Sequence, residues 1–101
     1  MNLTIDDRAL EYAREKGGDF VVKTVSTSGG CCAMEVREIT VEFSSDFKGS
    51  NKIFNRYNYK GINVYVERGL EMEEEVLIYE KAKLPLIGNL FGSKGISVRY
   101  L

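Results

Sequence analysis

The rhythm of hydrophobic and polar positions changes along the chain, and each change marks an element. Between Asp7 and Lys16 the apolar residues Ala9, Leu10 and Ala13 form a narrow stripe with Tyr12 beside it, the spacing of an amphipathic helix. Thr4 or Asp6 can cap its start, acidic residues sit near that start, and Gly17-Gly18 stops it. Leu3-Thr4-Ile5 reads as a short extended segment before it.

The period then shortens to that of strands. Asp19 to Val25 is rich in β-branched residues and reads as a strand, followed by a loop over Ser26 to Gly30. Apolar positions alternate from Met34 to Val36 and again from Ile39 to Phe43, with a change of parity at Arg37-Glu38. One extra residue there, a β-bulge, would keep both halves on one core; two separate strands would also explain it. Ile53 to Tyr59 and Ile62 to Glu67 flank Lys60-Gly61 as a hairpin, with Ile62, Val64 and Val66 on one face. Arg68 to Glu75 predicts a short helical turn and Val76 to Glu80 a strand. Lys83 to Gly95 predicts an irregular connection and Ile96 to Leu101 a last strand. The expectation is one domain over residues 1–101 of α+β class. It is mostly β, with an N-terminal helix packed on short, mainly antiparallel strands.

Composition narrows the partners. The 101 residues are 44% hydrophobic and 29% charged, enough for one core and a wet surface, and the net charge is −1. That balance predicts no nucleic-acid partner and no membrane partner. The start of the chain lacks a basic region followed by an apolar run, so no signal peptide is expected and a cytoplasmic location follows. There is no His, which excludes an imidazole base, Ser/His/Asp and Cys/His nucleophiles, and zinc sites with a His ligand.

Both cysteines stand together in Ser28-Gly29-Gly30-Cys31-Cys32-Ala33. Cys31 and Cys32 are the candidate reactive thiols and the candidate metal ligands. Gly29 and Gly30 leave room for an approaching partner, and their amides can converge on a negative atom, which favours thiolate. Lys23 and Arg37 flank the loop as candidate cations. Three chemistries are open. Metal or cluster binding as a rule needs four ligands, so a thiolate site would draw on a second chain, a partner protein or glutathione. Redox chemistry fits because adjacent Cα atoms lie only ~3.8 Å apart, below the ~4.4 Å lower limit of ordinary disulfides. Such a disulfide is strained and easily reduced. Nucleophilic attack on a small electrophile is the third. Against all three stands the reading of two small buried side chains.

Other groups point more weakly to chemistry. Glu71, Glu73, Glu74 and Glu75 read as a solvated acidic face, and Tyr57, Tyr59, Tyr65 and Tyr79 as sheet faces. Gly88 to Gly92 reads as turn and packing.

The order of these pieces resembles the HesB-like domain of A-type iron–sulfur cluster assembly proteins. The matching pieces are the helix, the Gly-Gly-Cys loop after a strand, and Gly61-Ile62-Asn63-Val64-Tyr65-Val66 as a Gly-x-x-Val-x-Val run. The closing segment from Val76 to Leu101 matches as well. The Cys-Cys pair is similar to a subgroup with a double-Cys motif in which one position can be selenocysteine. The resemblance implies iron or an iron–sulfur cluster bridging chains, and a homodimer or iron–sulfur and redox proteins as partners. The C-terminal Cys-x-Cys of A-type carriers is missing here, so only Cys31 or Cys32 carries over. The expected function is a small thiol protein of iron–sulfur or redox metabolism using Cys31 and Cys32. The alternative is a non-catalytic interaction module with structural cysteines and an apolar contact segment from Leu84 to Phe91.

Overall fold

The computed structural model describes residues 2–29, 34–47, 52–84 and 88–98. Helix α1 (Asp7–Lys16) starts where Asp6 Oδ1 accepts a 2.8 Å hydrogen bond from the Ala9 N–H, and it ends at Gly17 in the left-handed region. Its buried residues are Ala9, Leu10 and Ala13, the stripe read from the sequence. The cap satisfies an amide that a helix start leaves open. Asp6→Ala is therefore expected to lower stability by about 1 kcal/mol, seen as a lower urea midpoint at unchanged slope.

The strands are β1 (Asn2–Ile5), β2 (Asp19–Gly29), β3 (Met34–Ser44), β4 (Phe54–Tyr59), β5 (Ile62–Glu67), β6 (Glu71–Leu84) and β7 (Gly88–Ser97). They form one sheet in the order β1-β6-β7-β3-β2-β5-β4. The β1/β6 and β2/β5 pairs are parallel and the other four are antiparallel. The outermost strands β1 and β4 approach within 8 Å at their Cα atoms, and α1 packs against β5 and β6. The sheet is therefore a nearly closed barrel with the helix on its core.

The inner face explains the closure. Phe20 and Val22 on β2, Ile62, Val64 and Val66 on β5, Ile78 on β6 and Phe91 on β7 join Ile5, Ala9, Leu10 and Ala13 in one buried cluster. Phe20, Phe43, Phe91 and Tyr12 meet at ring separations of 5.0–6.4 Å, mostly edge-on or tilted, the arrangement that ring quadrupoles favour. A second, outer patch forms where Phe47 meets Phe54 at 5.2 Å and Tyr65 at 4.9 Å. The β4–β5 turn has positive φ at both Lys60 and Gly61, as a two-residue hairpin turn of this twist requires.

The expected α+β class of HesB type is overturned. A single curved sheet carries nearly all the described structure, and its strands are long: β2 and β3 have 11 residues each and β6 has 14. The expected helical turn at Arg68–Glu75 is instead the first part of β6 from Glu71, and β7 takes in the end of the expected irregular connection from Gly88 together with Ile96 and Ser97 of the expected last strand. Ser26 to Gly29 continues β2 rather than forming a loop. No bulge interrupts β3 against β2, since the register runs unbroken from Asp19–Ser44 to Gly29–Met34.

Candidate functional site

The sequence draws attention to the end of β2 and the start of β3. Support from neighbouring strands reaches only part of this pair. β5 pairs with β2 at Phe20–Val22, and β7 pairs with β3 at Val41. A side-chain tie, Thr24 Oγ1 donating to Glu67 Oε2 at 2.8 Å, extends the support slightly. From Thr24–Ile39 to Gly29–Met34 the two strands have described pairing only to each other. Those five residue steps correspond to roughly 17 Å of two-stranded ribbon. The Cα radius of gyration is 14.1 Å and the longest dimension 43 Å, against about 13 Å expected for the radius of a compact chain of this length.

Gly29 is the last residue of β2 and stands opposite Met34, the first of β3. Gly30, Cys31 and Cys32, the other residues of the expected site, lie outside the described residues, as does Ala33. The chain from Gly29 to Met34 runs through them, so the vicinal pair is carried between the ends of two paired strands.

The two candidate cations separate. Lys23 sits six residues before Gly29, roughly 20 Å along the strand, and its Nζ lies 3.1 Å from Glu42 Oε2. With side chains 36% and 56% exposed, that pair adds at most about 1 kcal/mol. Arg37 is at the register position of Ser26, three residues from Gly29. A charge at the distance of Lys23 is screened, because the Debye length is only ~8–10 Å in physiological salt. Lys23→Gln is expected to leave the pH profile of thiol alkylation unchanged when followed with iodoacetamide. A shifted profile would restore Lys23 as the activating cation.

The donor set bears on metal binding. The chain holds two thiols and no imidazole. Among the described residues no group of three His, Cys, Asp or Glu comes together to hold a metal ion. A four-ligand iron or iron–sulfur centre is therefore not completed by the soft donors of one chain.

The weaker sequence signals resolve into structure. Glu71, Glu73, Glu74 and Glu75 are exposed along β6. Tyr57 and Tyr59 pack against the core, Tyr65 meets Phe47, and Tyr79 lies across from Gly92. What the sequence did not signal is a groove of about 640 Å³ between β3 and β7, lined among others by Ile39, Val41, Leu90, Phe91 and Ile96. Two strands joined in register at a single described pair have no local sequence signature.

Fold and sequence together define a small β-sheet protein carrying a vicinal dithiol between the ends of its β2–β3 ribbon. The chain matches the CC/Se motif containing family over residues 1–95, and it belongs to that family. The family's description names the double-Cys or selenium motif, and no comparison links the chain to A-type iron–sulfur assembly proteins. Searches of curated proteins and of solved structures found no match. Among the described residues no helix is long and apolar enough to cross a membrane.

Proposed function

We propose that this is a thiol redox protein in which Cys31 and Cys32 act as a reversible two-electron pair. The observation that supports it is the ribbon. Two strands continue past the strands that cover them and end on either side of the pair. The membership of a family named for this motif agrees with a role for the two adjacent positions. Selenium in such a motif favours reactivity over packing, since a selenol exceeds a thiol mainly as a nucleophile and a leaving group.

The chemistry is thiol–disulfide exchange. One thiolate attacks a sulfur of a partner disulfide and the partner's first thiol leaves. The second Cys then displaces the other partner thiol and closes a Cys31–Cys32 disulfide. Two electrons pass from the pair to the partner disulfide, and a dithiol reductant reverses the step in a reducing compartment such as the cytoplasm.

The test is a thiol count by mass spectrometry on the native protein. Mild oxidant should remove both free thiols together with a loss of two hydrogens, and a dithiol reductant should restore them. Two thiols unreactive in the native protein would end this reading. A Cys-dependent chromophore after anaerobic iron and sulfide reconstitution, at the mass of two chains, would replace it with a ligand role shared between chains.

A further inference from the structure

We draw no further inference here: the strongest candidate, the groove between β3 and β7 lined among others by Ile39, Val41, Leu90 and Phe91, is a partly apolar surface on which nothing in the structure shows what covers it.

Discussion

Gly95→Ala is expected to cost on the order of 3–5 kcal/mol, most of the stability of a domain this small. The reason is a break in the β6–β7 ladder. Met72 pairs with Ile96 and Leu77 with Lys94, so residues 73–76 of β6 face Gly95 alone. Gly95 has φ +84°, and a Cβ there would run into the Glu75 carbonyl oxygen and crowd the Val76 backbone. The obstacle is main chain on both counts and cannot swing aside. It is also the place where β1 joins, since Asn2 pairs with Glu75 and Leu3 with Val76. Displacing Glu75 therefore loosens an edge of the barrel as well as the bulge. Gly69→Ala supplies the control. Gly69 has φ +94° with open space around its Cβ position, so it isolates the backbone penalty at about 1 kcal/mol. Urea denaturation of both variants gives the comparison. Equal losses would mean that the Glu75 carbonyl does not hold Gly95 to glycine.

The same break shows why part of the fold was illegible in the sequence. Four consecutive residues, Glu73 to Val76, stand against one glycine, so no period of two survives there. The acidic run is exposed and has low strand propensity, which read as a helical turn. Its pairing with β1 is parallel and spans some seventy positions of sequence, and nothing local announces it. β7 was hidden by its glycines. Gly92 is present because Tyr79 packs over it, and Gly95 because of the bulge. Both looked like loop residues without their partners. The legible elements were those with purely local causes. They are α1 between Asp6 and Gly17, the alternation of Ile62, Val64 and Val66, and the Lys60-Gly61 turn.

The HesB resemblance failed for a related reason. A Gly-x-x-Val-x-Val run describes any half-buried strand after a turn, and a helix before a strand is equally generic. Such pieces fix neither strand order nor strand length. The order β1-β6-β7-β3-β2-β5-β4 is set by which faces must be buried together, a property of distant residues such as Phe20, Phe43 and Phe91. The candidate site was legible to a different degree. Two adjacent thiols after two glycines could be read directly, and the family match agrees with that motif. The ribbon could not, because Ser26 to Gly29 is turn-like in composition yet continues β2.

Cys31→Ser and Cys32→Ser, made singly, are each expected to abolish the reversible two-electron oxidation completely, because neither variant can close the ring. Oxidant should instead leave a mixed disulfide or a sulfenic acid on the remaining thiol. In the unaltered protein the Cys31–Cys32 disulfide spans Cα atoms only ~3.8 Å apart, less than the ~4.4 Å at which ordinary disulfides begin. Ring strain raises its reduction potential above the roughly −300 mV below which structural disulfides fall, so the pair should stay largely reduced in a reducing glutathione buffer. Equilibration against graded glutathione mixtures, with the oxidised fraction read by mass spectrometry, gives the potential. The same variants separate a reactive pair from a buried one. The exchange reading predicts that either position tolerates Ser within about 0.5 kcal/mol. A loss of 2 kcal/mol or more in urea, with the oxidation behaviour of a simple thiol, would make the cysteines structural. Unchanged stability with the two-electron step gone leaves exchange as what the pair contributes.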